Sequence, residues 1–366
     1  KGVPMGTVRA VAPRGPRSRR AKSFLSALAW GAALLAITLP VIAADVALPL
    51  PNVEIPPIKG KTGSFDIIDI DQAAHLMYVG DRITQGVDIF DISTPSARYL
   101  QTVPTGPANG VQIAKNVNKV FAGTNDSSVA IIDVDPASPA RNTVIAKLNT
   151  GGRKRADEMD YDPREKKLYA ANSDDGIVSV VDAVHNTIIK QFRDMGEGLE
   201  QPRYNPGDGM MYMTSSDQNA VFQFDPRNDV LVKKYDVGIP CNPNGLAINP
   251  ATNQALLGCS NKEKPMAALW DLKGHGVITT FSQAGAGDMA FYYPKEDLYL
   301  FAASNFPPGA VLAIFGGSPV HWIANIPTAV GSHALGFDET NHVIYTIDQR
   351  PNNSGLMAFW LPAIPK

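Results

Sequence analysis

The sequence predicts an all-β fold, a seven-bladed β-propeller with four-stranded antiparallel blades. One observation is a recurring turn whose last residues are 43, 44, 44 and 45 positions apart, at Pro163, Pro206, Pro250, Pro294 and Glu339. Another is that the runs between these turns are short, rich in β-branched and aromatic residues, and bounded by Asn, Asp, Gly or Pro, as strands are. A period in the forties matches one propeller blade.

Residues 1–44 are predicted to be a cleaved signal peptide. A basic segment, 14–22, precedes an uncharged run, 24–44, which Pro40 interrupts and which ends in small residues. The alternative is an uncleaved anchor, since 21 uncharged residues can just span a bilayer. Ser18-Arg19-Arg20 keeps a twin-arginine signal open beside ordinary Sec export. We therefore expect a periplasmic or secreted protein with no stable membrane insertion after cleavage.

The charge of the chain changes when this segment is set aside. Residues 45–366 hold 26 basic and 35 acidic residues, a net charge near −9. Because nucleic-acid binding normally needs a basic surface, this charge argues against nucleic acid as a partner. The remaining length is sufficient for one propeller.

The blades follow one another from residue 65 to residue 366, after an N-terminal segment, 45–64. Blade one is predicted over Phe65–Val103. Blade three shows the unit most clearly, with strands predicted at Met159–Tyr161, Lys167–Asn172, Ile177–Asp182 and Thr187–Phe192. The same pattern is repeated more loosely over Val120–Leu148, Met211–Val237, Ala255–Phe281 and Leu298–Ile326.

The last blade is predicted over Ala334–Trp360, where only three strands are convincing. Its fourth strand is expected from the segment Asn52–Ile58. Pairing the two ends of the chain would close the ring and leave no open sheet edge.

Polar residues recur at one position of the repeat, six residues before each turn marker. Inner strands of a propeller line its channel, and the loops that lead into them surround one mouth, where function is common. The residues at this position are Asp66, Asn109, Asp157, Glu200, Asn244, Asp288 and His333. One step forward, the set is Ile67, Gly110, Glu158, Gln201, Gly245, Met289 and Ala334. The polarity thus belongs to one register, with ordinary turn preference of Asp and Asn as the alternative explanation.

We call the seven polar residues the ring. Four carboxylates, two amides and one imidazole favour Ca²⁺ or Mg²⁺, or a Zn²⁺-type ion if His333 takes part. Crowded carboxylates raise one another's pKa, so a cation or a cationic ligand is a reasonable occupant. The predicted metal ligands are the ring and the adjacent Glu158.

Histidine placement predicts a catalytic pair. Among the six histidines only His333 falls in the ring, and with Asp288 of the neighbouring blade it is predicted to act as a general base or a metal ligand. A structural histidine is the alternative. The loops with Asp81-Arg82 and Arg153-Lys154-Arg155 are interpreted as solvated. For the latter, screening of the acidic ring or binding of an anionic ligand is the alternative.

Cys241 and Cys259 are the two cysteines of the chain. A hairpin is predicted between them, with Gly245–Asn249 and Gln254–Gly258 as its strands. This hairpin would bring the two sulfurs together at one end, so we predict a structural disulfide, with free buried thiols as the alternative.

The run LYAANSDDGIVSVVDAVHNTIIKQF, residues 168–192, resembles the YVTN-repeat, YncE-like exported propellers. Segments that lead into five inner strands are also similar to that group, and they contain Asp157, Glu200, Asn244, Asp288 and His333. The resemblance implies a propeller fold over the whole mature chain. Its relatives include periplasmic or surface binding proteins, and more distant propellers are metal-dependent lactonases, lyases or carriers of large cofactors.

Three functions are therefore considered. The favoured one is a binding or interaction protein that holds a small-molecule or protein ligand at the mouth, because no nucleophile motif, phosphate loop or haem-attachment motif is present in the sequence. The second is a metal-dependent hydrolase or lyase, with Glu158 or Glu200, Asn244 and Asp288 around the cation and His333 as the base. The third is a tetrapyrrole-binding propeller with His333 as the axial ligand.

Overall fold

The computed structural model describes Gly2 and the ranges 46–55, 64–350 and 355–362. Its strands form seven four-stranded sheets, which confirms the predicted all-β, seven-bladed propeller. Helix among these residues is limited to two 3₁₀ turns, Lys115–Val117 and Ser173–Asp175. No helix in the described part of the chain is long and apolar enough to cross a bilayer.

The predicted signal peptide, residues 1–44, lies outside the described residues except for Gly2. The chain divides into two units, 1–40 and 41–366. All the described strands belong to the second unit. The boundaries at residues 44 and 64 stay predictions.

The strands are numbered along the chain. β1 spans Leu48–Glu54 and belongs to the last blade. Blades one to four run from the inner to the outer strand in chain order, as β2 (Phe65–Asp71), β3 (Leu76–Asp81), β4 (Gly86–Asp91), β5 (Arg98–Pro104); β6 (Ala108–Ala114), β7 (Lys119–Thr124), β8 (Ser128–Asp133), β9 (Thr143–Asn149); β10 (Met159–Asp162), β11 (Lys167–Asn172), β12 (Ile177–Asp182), β13 (Thr187–Phe192); β14 (Leu199–Asn205), β15 (Met210–Ser215), β16 (Ala220–Asp225), β17 (Val230–Asp236).

Blades five to seven continue in the same way. They comprise β18 (Pro243–Asn249), β19 (Gln254–Cys259), β20 (Ala267–Asp271), β21 (Gly276–Phe281); β22 (Ala290–Tyr293), β23 (Leu298–Ala303), β24 (Val311–Gly316), β25 (His321–Pro327); β26 (Leu335–Asp338), β27 (Val343–Asp348), β28 (Gly355–Trp360). In blade three the observed strands agree with the predicted ones to within one residue.

The last blade is completed by the N-terminal strand, as expected. β1 pairs antiparallel with β28, with Leu48 opposite Trp360. The strand lies four residues earlier than the predicted segment Asn52–Ile58, of which residues 56–58 are outside the described ranges. The reason is burial at both ends of the true strand, because Ala47 and Val53 pack into the clusters of this blade.

The core lies between neighbouring blades. The second and third strands of a blade are covered on both faces, so β3 and β4 are buried along most of their length, whereas the outer strand β9 alternates between exposed and half-buried residues. Phe121 of blade two and Leu168 of blade three share one such cluster. Burial of this kind contributes about 1.5–3 kcal/mol for each large apolar side chain, and it makes the channel wall rigid.

The predicted disulfide is present. Cys241 and Cys259 are bonded and both are fully buried. Cys259 lies opposite Pro243 at the end of the β18–β19 hairpin. The bridge therefore anchors the segment that leads into β18, directly before the ring residue Asn244.

Candidate functional site

The inner strands deliver the ring to one mouth of the channel. In blades one, two, four and five the ring residue is the second residue of its inner strand. The ring residue lies within a register shift in each case, between Phe65 and Ile68, Ala108 and Val111, Leu199 and Pro202, and Pro243 and Gly245. Such bulges re-aim side chains and are common beside functional sites.

In blades three, six and seven the ring residue instead precedes the inner strand by two positions. Asp157, Asp288 and His333 therefore lie in the loops that lead into β10, β22 and β26. The common register predicted from the repeat is thus produced by two local structures, a bulge or a lead-in loop.

A cavity of about 320 Å³ opens at this mouth, and we call it the mouth chamber. Six ring residues line it, together with Glu158, two arginines and four other residues. The lining ring residues are Asp66, Asp157, Glu200, Asn244, Asp288 and His333. The seventh, Asn109, is fully buried behind the wall, where its Oδ1 accepts a hydrogen bond from Arg82 Nε at 2.6 Å.

One side of the chamber balances its own charges. Arg82 donates to Asp66 and Asn109, and Arg155 Nε donates to Asp157 Oδ2 at 2.6 Å. Burial raises the pKa of Asp157, and Arg155 and Arg82 counteract that rise. Asp66 and Asp157 therefore have guanidinium partners.

His333 belongs to the same side. Its Nε2 lies 2.8 Å from Asp66 Oδ1 and its Nδ1 lies 2.8 Å from the carbonyl oxygen of Gly331. Both of these partners are acceptor oxygens, but Gln349 Nε2, a donor, lies 3.4 Å from Nδ1, so the tautomer decides which ring nitrogen donates. The imidazole faces Asp66 of blade one rather than Asp288 of blade six.

On the other side of the chamber no carboxylate forms an ion pair with a described basic residue. Carboxylate oxygens of Glu158, Glu200 and Asp288 lie within 4.8 Å of one another, and we call these three residues the acidic cluster. Asn244 Nδ2 donates to Asp288 Oδ1 at 3.2 Å, and Ser216 Oγ donates to Glu200 Oε1 at 3.3 Å.

Two oxygens at this cluster are buried without a hydrogen-bond partner, Glu158 Oε2 and Asn244 Oδ1. The Glu158 side chain is well buried, with 6% of the residue exposed. Buried polar atoms are almost always satisfied in folded proteins, so these two oxygens are available to a ligand, a water molecule or an ion in the cavity.

Burial and repulsion raise the pKa of Glu158 and Glu200, and Arg203 and Arg155, respectively, offset part of the rise. Burial is the largest cause of the raised pKa of Glu158, and repulsion from Asp288 and Glu200 adds to it. Burial likewise raises the pKa of Glu200, with repulsion from Asp288 and Asp157 as the next causes. A cation among these oxygens would reverse both effects because it favours the ionised carboxylates.

The residues that could hold a metal ion are therefore a subset of those predicted from the sequence. Glu158, Glu200, Asp288 and Asn244 meet on one wall and offer oxygen atoms of the type that Ca²⁺ and Mg²⁺ bind. Asp66, Asn109, Asp157 and His333 are engaged by Arg82, Arg155 or one another. The predicted catalytic pair His333 and Asp288 lines the same chamber, and its catalytic role stays a prediction.

The structure places at the chamber two arginines that the sequence predicts to lie in solvated loops. Arg82 is half-buried and bonded to the ring, and Arg155 screens Asp157, which is the alternative considered for its loop. Arg153 is the solvated member, with 94% of its side chain exposed. A signal for Arg155 existed in its position two residues before a ring carboxylate.

A second cavity, of about 260 Å³, lies deeper in the channel, and Glu158 and Met289 line both cavities. Its polar lining comes from the residues three positions after the ring in blades one to four, which are Asp69, Gln112, Asp160 and Arg203. Asp69 and Asp160 accept backbone N–H groups of the next blade, at Ile113 and Tyr204. Burial raises the pKa of Asp69 to about 6.

Comparisons with known proteins support the fold alone. No family model and no curated protein matches this chain. A structure of U3-55K has a TM-score of 0.67 at 10% identity and covers 87% of this chain and 99% of its own. A crystal structure of a mitotic checkpoint complex has a TM-score of 0.64 at 14% identity and covers 84% and 96%. Membership of the YVTN-repeat family is not shown by these comparisons.

Proposed function

We propose that this chain is an exported β-propeller binding protein whose mouth holds a divalent cation in the acidic cluster and captures a small ligand there. The observation that carries the proposal is the convergence of three carboxylates within 4.8 Å of one another, none of which forms an ion pair with a described residue. Hard divalent cations are bound by such oxygen sets. Asn244 Oδ1, which has no hydrogen-bond partner, offers a fourth oxygen ligand.

Export is the part of the proposal that rests on the sequence. It is supported by the basic and uncharged segments of residues 1–44 and is compatible with the disulfide, because disulfides persist in oxidising compartments. Ca²⁺ and Mg²⁺ are the expected ions. Zn²⁺ is less suited, since the only ring imidazole is held by Asp66 and Gly331.

The experiment is calorimetric titration of the chelator-treated mature protein with CaCl₂, MgCl₂ and ZnCl₂. We expect one site for Ca²⁺ or Mg²⁺, and at least a tenfold loss of affinity in Glu158→Gln and in Asp288→Asn, since each removes a charged oxygen ligand. The matched control is Asp174→Asn, a carboxylate in a blade-three loop whose side chain is 44% exposed. Absence of cation binding by the unaltered protein would refute the proposal.

A metal-dependent hydrolase or lyase is the second candidate. It is supported by the chamber of about 320 Å³ beside the acidic cluster, where a bound cation could polarise a lactone or ester carbonyl. The general base is the weak part of this candidate, because both ring nitrogens of His333 already form hydrogen-bonding contacts within the protein. Cation-dependent turnover of a small lactone, lost in His333→Gln, would favour this candidate.

The third candidate, a tetrapyrrole carrier, has less support. An axial bond from His333 would require the imidazole to leave Asp66 or Gly331. A visible absorption band in the purified protein would test it.

A further inference from the structure

We infer that the ligand of the mouth chamber is a small organic acid whose carboxylate bridges the bound cation and the guanidinium of Arg155. The inference rests on the proposed function, because the cation supplies one half of the binding site. The other half is a positive group that points into the same chamber and still has hydrogen-bonding capacity.

Arg155 has this capacity. It lines the mouth chamber with the acidic cluster, and its Nε is fixed by Asp157 Oδ2 at 2.6 Å. Its two terminal nitrogens make no hydrogen bond to the described residues, and 42% of its side chain is exposed. The fork is therefore held in place at one edge and free at the other, the geometry in which arginine binds a carboxylate through two parallel hydrogen bonds.

Arg82 differs in each respect. It is more buried than Arg155, and its donors are used by Asn109 Oδ1, Ser64 Oγ and Asp66 Oδ2. Arg82 therefore holds the wall of the chamber together. Arg155 is the arginine that remains available to a ligand.

The chamber's charge makes anion binding depend on the cation. Five carboxylates line it, from Asp66, Asp157, Glu158, Glu200 and Asp288, opposite Arg82, Arg155 and His333. Without a cation the acidic cluster offers an anion only carboxyl groups, whereas a bound divalent cation supplies a positive charge there. A monoanion then lies between two positive groups. A phosphate dianion would face the same five carboxylates at a greater electrostatic cost.

The linkage between the two ligands is the quantity to measure. The coupling is reciprocal. The factor by which the cation raises the protein's affinity for the anion equals the factor by which the anion raises its affinity for the cation. We therefore propose titrating the mature protein with CaCl₂ in the presence and absence of sodium glycolate. Glycolamide, its neutral analogue, and methyl phosphate replace glycolate in parallel titrations, and calcium–anion association in buffer is subtracted.

Glycolate is expected to raise calcium affinity about tenfold, within the usual range of coupling between sites. Glycolamide should give no such gain and methyl phosphate a smaller one. Arg155→Gln should abolish the gain while calcium alone binds at least as well, because a positive charge near the cluster has been removed. Arg155→Lys should retain part of the gain, and Arg153→Gln, in the same loop, should retain all of it.

The outcomes separate the two proposals. Failure of calcium to bind refutes the proposed function. Calcium binding that glycolate leaves unchanged, or a gain that persists in Arg155→Gln, refutes the carboxylate site and leaves the cation site standing. A larger gain with methyl phosphate than with glycolate would overturn the assignment of the ligand as a carboxylate.

Discussion

The imidazole Nε2 of His333 lies 2.8 Å from the carboxylate Oδ1 of Asp66, although the two residues are 267 positions apart in the chain. His333 precedes the inner strand of the last blade and Asp66 lies in that of the first. This contact closes the ring at the mouth, as β1 closes it at the outer edge. It therefore indicates a structural role for a histidine that the sequence predicts to be a general base or a metal ligand.

Replacing His333 by Ala is expected to destabilise the protein and to spare the cation site. A hydrogen bond to a charged group contributes about 1.5–3 kcal/mol, so the free energy of unfolding in urea should fall by about that amount. Calcium affinity by calorimetry should stay within about twofold, since His333 lies on the charge-balanced side. The exposed His321→Ala is the control. A large loss of calcium affinity would instead place His333 among the metal ligands, as the sequence predicted.

Glu158 should make the cation-free protein less stable as the pH rises. Because burial and neighbouring carboxylates raise its pKa above the ordinary 4.5, the folded protein keeps this proton after the unfolded chain has released it. The contribution of this proton to the free energy of unfolding is fully present below pH 4.5, and it is lost as the pH rises toward the raised pKa of Glu158.

The measurement is the melting temperature between pH 4.5 and pH 8 in chelator. Glu158→Gln should melt at least about 2 °C above the unaltered protein at pH 8, roughly the shift for 1 kcal/mol in a large domain, with the difference vanishing at the acid end. Adding CaCl₂ should remove this fall of the melting temperature with rising pH in the unaltered protein. The exposed Glu54→Gln is the matched control, and an equal slope in Glu158→Gln would contradict the assignment.

Loss of the disulfide is expected to weaken the protein measurably. Cys241 and Cys259 are separated by 18 positions, and closing a loop of about that length contributes about 3 kcal/mol. The double Cys→Ala variant should lose about that much in chemical denaturation. Dithiothreitol should destabilise the unaltered protein and leave the variant unchanged. A reductant effect of the same size on both would show that the bridge is not the cause.

Gly110 should be intolerant of a side chain. A Cβ at this position would overlap the backbone carbonyl oxygen of Asp157 in the next blade, so Gly110→Ala must move backbone at the mouth. We expect a loss of about 1–3 kcal/mol or more and weaker calcium binding. Gly276→Ala is the control, because nothing lies within 4 Å of its Cβ position. Equal stability of the two variants would contradict the close approach.

Much of the candidate site was accessible from the repeat. The register that groups Asp66, Glu200 and Asn244 follows from the spacing of the blades, and the structure brings these side chains into one chamber. The position of β1 was less accessible, because an edge strand has little local pattern and its register is decided by which side chains the last blade buries.

The division of the ring into a balanced side and an acidic side was not accessible from the sequence. Arg82 comes from the turn after β3 and pairs with Asp66 of its own blade and Asn109 of the next. Nothing in the repeat distinguishes it from the charged residues at the corresponding turns. Whether an arginine reaches a ring carboxylate depends on side-chain length and blade geometry.

By itself, the sequence determined the blade repeat, the strand pattern, the disulfide and the register of polar residues, since these depend on local propensity and on the spacing along the chain. Only the tertiary structure decided which carboxylates have partners and which converge without one. The physical reason is that charge pairing acts through space, between residues of different blades, and a few ångströms separate a neutralised carboxylate from a free one.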